Sequence, residues 1–253
     1  LDWLAISFMN NQWDTKALIK SIAVSSTYRQ SSAETEQEYS QDPENLLLSH
    51  ANRFQLPAEM LRDNALLVSG LLVDKQGGPS VKPYEVAESF KPVARGKGEQ
   101  LYRRSLYTYW RRTAPAPVMM TLDAAKREVC SVARERTSNP LHAIVLLNDP
   151  QYVEAARKMG ENLIKAHGEN YQTAIANAFQ TLTSRTARSA ELTVLSKSFQ
   201  QQLTYFKEHP DETAKFLKTG DAPSNSELPA DQVAAMAMVV NLLLNYDECV
   251  VRQ

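Results

Sequence analysis

Apolar residues recur along most of this chain at intervals of three and four, the spacing that gathers side chains on one face of an α-helix. Leu4, Phe8, Leu18, Ile19 and Ile22 predict two short helices within residues 1–25, parted by Asn10-Asn11. Residues 27–41 are polar and rich in Ser and Glu, which predicts an exposed loop. Asp42-Pro43-Glu44 then has the form of a helix start, because Asp can accept from the unpaired N–H groups and Pro fits the first turn. Leu61, Ala65, Leu66, Val68, Leu71 and Leu72 predict a helix across 56–72 that stops before Gly77-Gly78-Pro79. Residues 77–98, with their Gly, Pro and Lys, predict a long irregular excursion.

The pattern is equivocal over residues 101–113. Leu106, Tyr109 and Trp110 fit a helix, whereas the aromatic and Thr content suits a strand, and Pro115 and Pro117 end either one. Ser138-Asn139-Pro140 opens a helix carrying Leu141, Ile144, Val145 and Leu147, which breaks near Asp149-Pro150 and resumes over 152–166. Further helices are predicted around 171–182, 189–209, 211–217 and 231–245, with a Pro/Ser/Asn linker at 222–229. No internal repeat or heptad is present. The expected fold is mainly α, an irregular multi-helix domain with a long Gly/Pro-containing excursion and room for short central strands. Residues 1–253 read as one domain, with a sub-boundary allowed near 222–229.

Composition narrows the functional classes. With 43% hydrophobic residues in 253, the chain can bury a sizeable core. Its 28 Lys and Arg against 29 Asp and Glu leave a net charge of −1, so no overall field draws in nucleic acid or an anionic membrane. The most apolar run, 233–244, is interrupted by Asn241 and is shorter than the roughly 20 residues a bilayer span needs. The start, Leu1-Asp2-Trp3-Leu4, reads as the interior of a longer precursor. Cys130 and Cys249 are the two cysteines, which excludes a covalent haem motif in this chain; a disulfide between them and two buried thiols both remain open.

Several ordered blocks carry a family resemblance. They are Leu1-Asp2-Trp3-Leu4-Ala5, Ser26-Thr27-Tyr28-Arg29-Gln30-Ser31-Ser32, Arg62-Asp63 followed by Ser69-Gly70-Leu71-Leu72, and Gly77-Gly78-Pro79-Ser80-Val81. The longest runs from Arg103 to Thr113 and continues through Leu122-Asp123-Ala124, Arg127 to Cys130, Arg134 to Thr137 and Leu146 to Pro150, with Leu244 to Glu248 closing the set. Together they resemble the domain-of-unknown-function family numbered 1553, the C-terminal domain of large planctomycete and verrucomicrobial proteins. His142, Leu122 and Ala133 depart from the family pattern, where Gln, Phe and Arg are usual. The resemblance implies an extracytoplasmic setting, an upstream domain or another subunit as partner, and haem c in an upstream part of the precursor. It assigns no activity.

The segment from Arg103 to Asp149 concentrates the candidate chemistry. Arg103, Arg104, Arg111, Arg112, Arg127, Arg134 and Arg136 interleave with Tyr107 and Trp110, alongside Asp123 and Asp149. Guanidinium forks can hold carboxylate, sulfate or phosphate in paired hydrogen bonds, and aromatic rings can stack on a sugar, so an anionic polysaccharide is a chemically reasonable ligand. The competing expectation is that these arginines pair with Asp63, Asp123, Glu128, Glu135 and Asp149 and tie irregular segments together. Asp123, Cys130 and His142 would supply a base, a nucleophile and an orienting group, but nothing in their spacing brings them together. His50, His142, His167 and His209 are too scattered for a metal motif, Asp42, Asp123, Asp149 and Asp247 form no acidic loop, and Gly77-Gly78-Pro79 lacks the Lys and Ser/Thr of a phosphate-binding loop. Two functions follow as expectations: a noncatalytic scaffold or binding module, or an extracellular enzyme acting on anionic polysaccharide.

Overall fold

The computed structural model describes residues 1–85, 94–111, 115–127, 130–134 and 136–252. It divides into two compact units, Leu1–Phe54 with Val251–Gln253, and Gln55–Val250.

The smaller unit holds α1 (Asp2–Asn10), α2 (Thr15–Ala23) and α3 (Glu36–Gln41). Asp14 caps α2, its carboxylate accepting from the N–H groups of Lys16 and Ala17 at 2.9 and 3.0 Å. Helix α3 lies where a loop was expected. Thr35 Oγ1 accepts from the Glu38 N–H while the Glu38 carboxylate accepts from the Thr35 N–H, a reciprocal cap that stabilises a short polar helix. The helix expected to start at Asp42 does not form. Asp42 closes α3, and its carboxylate accepts from Leu46 and Leu47 N–H at 2.8 and 2.7 Å. Asn45 and Leu48 then take φ of 50° and 55°, which a right-handed helix cannot accommodate. None of the three helices contains a buried residue. The two-residue strands β1 (Phe54–Gln55) and β2 (Val251–Arg252) form the one sheet among the described residues.

The larger unit contains α4 (Ala58–Val68), α5 (Pro117–Thr121), α6 (Pro140–Asn148), α7 (Pro150–His167), α8 (Tyr171–Thr183), α9 (Ser189–Glu208), α10 (Pro210–Leu217), α11 (Ala230–Leu244) and α12 (Asp247–Val250). Asn139 and Asp149 cap α6 and α7 ahead of their first-turn prolines, as the sequence pattern predicts. Helices α7 and α11 are the centre of the core, with α4, α6, α8, α9 and α10 packed on one or both of them. Helix α11 is apolar almost all round and is buried accordingly, with Val233, Ala234, Ala235, Met236, Ala237, Val239 and Val240 all in the core. The two axes approach closely at Gly160, where a β-carbon would meet Ala237 N at 2.9 Å.

The segment over 101–113 is neither helix nor strand as far as it is described. It consists of 3₁₀ turns at Gly98–Leu101 and Ser105–Tyr107 with isolated parallel bridges pairing Val73 with Arg103 and Val81 with Thr108. Pro117 opens α5 within its first turn. The predicted excursion at 77–98 is irregular over 77–85 and 94–97, and 86–93 lie outside the described residues. The linker at 222–229 belongs to the larger unit, where α7 fastens its start. Glu154 accepts from the N–H of Asp221 at 2.6 Å, and Arg157 donates to Ala222 O at 2.6 Å. Gly220 makes the turn at φ 91°, with the Glu154 side chain occupying the place a β-carbon would need. The disulfide that the sequence left open is not formed: Cys130 is exposed and Cys249 is buried, both free. The Cys249 thiol donates to Leu182 O, and burial pushes its pKa up to about 12. No described helix is long and apolar enough to cross a membrane.

Candidate functional site

Four fastenings, made largely by side chains that the sequence offered as ligands, organise the region from Arg62 to Asp149. The first is Arg62, on the buried face of α4 beside Leu61, Ala65 and Leu66. Its guanidinium donates to Gln151 Oε1 at 2.8 Å, Arg103 O at 2.9 Å, Ser105 Oγ at 3.1 Å and Leu101 O at 2.6 Å. Asp63 accepts from Ser105 N–H at 2.7 Å. These bonds supply the partners that an α-helix would have given residues 101–105 and explain their irregular path.

The second fastening is Arg103, only 5% exposed. It donates to Pro79 O, Lys75 O and Gly77 O, and stacks on the Tyr107 ring with its guanidinium carbon 3.9 Å from the centroid. Tyr107 in turn accepts from Gly77 N–H at 2.7 Å. The candidate ligand pair Arg103 and Tyr107 is therefore occupied by its own chain. Arg104 instead reaches Asp74 at 2.8 Å on the surface, where the ion pair holds the Asp74 carboxyl below its ordinary range.

The third gathers on Glu59. Arg134 donates to it at 3.0 Å and Arg127 stands 3.9 Å away, with the Arg127 guanidinium also over the Trp110 ring and donating to Thr108 O at 3.1 Å. Arg111 is partly buried beyond Trp110. Arg112, Glu128 and Glu135 lie outside the described residues.

The fourth centres on Asp123, at a left-handed φ of 58° where α5 ends. Its Oδ2 accepts from Thr137 N–H at 2.6 Å and Thr137 Oγ1 at 2.8 Å. His142, on α6 and buried, places Nε2 3.8 Å from that oxygen, while its Nδ1 is 2.6 Å from Gln55 Nε2. Asp123 and His142, which their spacing in the chain does not join, are thus brought side by side. Asp123, Arg134 and Arg136 line one small cavity with Gln55, Leu56, Pro57 and Leu122, leaving about 10 Å³ for the centre of a water-sized molecule. Asp149 is elsewhere, capping α7 by accepting from Gln151 N–H at 3.0 Å, and burial raises its pKa. Among the described residues no three His, Cys, Asp or Glu side chains converge as a metal site.

Glu59, Arg62, Gln55 and His142 complete these groups; the sequence named His142 beside Asp123, and of the rest Arg62 had a usable signal. It occupies a position of α4 in register with Ala58, Leu61, Ala65 and Leu66, where a charged residue on the apolar face must find partners. The others act across sequence separations that no local pattern encodes.

The class defined by this fold is an irregular, mainly helical domain whose arginines are largely internal ties. A family model described as "Protein of unknown function (DUF1553)" matches residues 1–199, and the chain belongs to that family. No curated protein and no solved structure matches it.

Proposed function

We propose that this chain is a noncatalytic scaffold or binding module of a larger exported, cytochrome c-linked protein, with any haem carried by another part of the precursor. The observation that carries this reading is the use of the arginines: Arg62 and Arg103 are spent on backbone carbonyls, and Arg104, Arg127 and Arg134 on carboxylates of the same chain. The binding surface is the pair α1 and α2, where Trp3, Ile6, Met9, Ile19 and Ile22 are exposed. The partner is the domain preceding it in the precursor. Supplying that domain in trans to this chain tests the reading by surface plasmon resonance. Saturable association is expected, weakened about tenfold or more by Ile6→Asp with Ile19→Asp; no association of the unmodified chain sinks it.

A second reading, an enzyme or substrate-binding half acting on anionic polysaccharide, is favoured by Arg134 and Arg136 lining the same cavity as Asp123. It requires release of reducing ends from a polyuronate that Asp123→Asn abolishes.

A further inference from the structure

Helix α6 covers only one of its faces within this chain. Asn139 caps it, Pro140 fits its first turn, and the face carrying His142 and Leu146 is buried. On the other face Leu141, Ile144 and Leu147 are 52%, 54% and 37% exposed. Side chains three apart share one side of a helix, so the three form a continuous apolar stripe. Asn148, the polar side chain at its end, donates to Ile144 O at 2.8 Å and is satisfied within the helix. Asn241 of α11 donates to Leu147 O at 2.9 Å, and the next residue, Leu242, is exposed as well.

Two properties of this face select its occupant. The first is charge: no Lys, Arg, Asp or Glu stands among residues 137–148 or among residues 232–246. Such a face offers a partner no charge to complement, and nothing on it repels a copy of itself. The second is symmetry. Ile144 is the middle residue of Pro140–Asn148, with Leu141 three residues before it and Leu147 three after. Two copies of α6 laid antiparallel about a twofold axis through Ile144 bring Ile144 against Ile144 and Leu141 against Leu147 on both sides. That reciprocal pairing is what a twofold interface requires.

We propose that the exposed stripe of α6 is the contact between two copies of this chain, paired about an axis through Ile144. With so few apolar side chains on each copy, the patch is smaller than the roughly 800 Å² per partner of a standard stable interface, so the dimer forms reversibly and only at raised concentration. The proposal goes beyond the partner assigned to α1 and α2 and does not depend on it, because neither of those helices contributes to the stripe.

Sedimentation equilibrium of the whole chain tests it. The expected result is an apparent mass that rises from one chain towards two between about 5 and 500 µM. Ile144→Asp, at an exposed position, sets two carboxylates face to face on the axis and is expected to weaken association tenfold or more. Ile6→Asp is expected to leave it unchanged. Crosslinking reads the geometry in a Cys130→Ser background, which removes the exposed thiol. Ile144→Cys is expected to form a disulfide-linked dimer with itself. Leu141→Cys is expected to link to Leu147→Cys in a mixture and not to itself, since its two copies stand about 9 Å apart along the helix. Should Ile144→Asp disturb folding, the crosslinking pattern decides. A single-chain mass at every concentration overturns the proposal. Association that survives Ile144→Asp in a folded chain, or that Ile6→Asp abolishes, puts the contact on another surface and overturns it equally.

Discussion

Helices α1 and α11 are built from similar material and used in opposite ways. Helix α1 carries Trp3, Leu4, Ile6, Phe8 and Met9 within nine residues, and none of its residues is buried. Helix α11 carries an equally apolar run and buries ten of its residues, from Val233 to Leu244. The difference lies in what meets each helix: α11 runs against α7 at the glycine-sized approach of Gly160, whereas Trp3 and Ile6 of α1 are 75% and 54% exposed. Apolar periodicity thus specifies that a face wants covering and does not say by what. In α11 the cover is the chain's own core; for α1 the function proposed above assigns it to a partner.

The sharpest test places the same charge in both helices. Val240→Asp puts an unpaired carboxylate into a fully buried position and is expected to cost about 4 kcal/mol, enough to unfold the larger unit. Ile6→Asp at an exposed position is expected to change stability by less than about 0.5 kcal/mol. Urea denaturation followed by circular dichroism measures both. A large loss from Ile6→Asp would show that α1 is already covered within this chain and would remove the comparison.

The core tolerates charge where a partner is built in, and α7 is the place to probe that. Arg157 is fully buried, donating to Glu161 at 2.6 Å and to Ala222 O at 2.6 Å, and Glu161 also takes Lys158 at 2.9 Å. Removing one member strands the other, so Arg157→Ala is expected to cost about 3 kcal/mol, below Val240→Asp because Lys158 stays on Glu161. Combining Arg157→Met with Glu161→Leu removes both charges and is expected to restore most of that loss in the same urea assay. If the double variant is no more stable than Arg157→Ala, the pair is not the cause of the cost.

The helices were the legible part of this fold. Caps followed by proline at Asn139-Pro140 and Asp149-Pro150, together with long apolar periods, announce α6, α7 and α11, and family membership was readable from the ordered blocks, of which all but Leu244 to Glu248 lie within the matched residues 1–199. Asp42 misled because the cap-and-proline pattern also suits a turn whose backbone N–H groups fold back onto the Asp carboxylate. Thr35-x-x-Glu38 was a readable capping box hidden in polar surroundings. Residues 101–108 were not legible, because their path depends on Arg62, about 40 positions away, replacing local hydrogen bonds. The candidate arginines are concentrated in the sequence, but their destinations are nonlocal. Among the described residues, three of those proposed as ligands, Asp123, Arg134 and Arg136, share the cavity.

A partly exposed ion cluster gives a smaller predicted effect and shows how depth grades the value of a pair. Arg185 donates to Glu191 and to Glu248, each at 2.6 Å, at the junction of α8, α9 and α12, with all three side chains partly exposed. Hydrogen bonding from Arg185, and then from Arg188 N–H, lowers the Glu191 pKa from the ordinary 4.5 to about 2. The folded form thus holds this carboxylate ionised more firmly than the unfolded chain does. The stabilisation is fully present above about pH 4.5 and is lost as pH falls from there towards 2. Solvent screening keeps it modest, and added salt should reduce it further. Urea midpoints measured over that range should fall more steeply for the natural sequence than for Glu191→Gln, which is less stable near neutrality and converges with it near pH 2. Parallel curves would show that Glu191 does not carry the acid sensitivity.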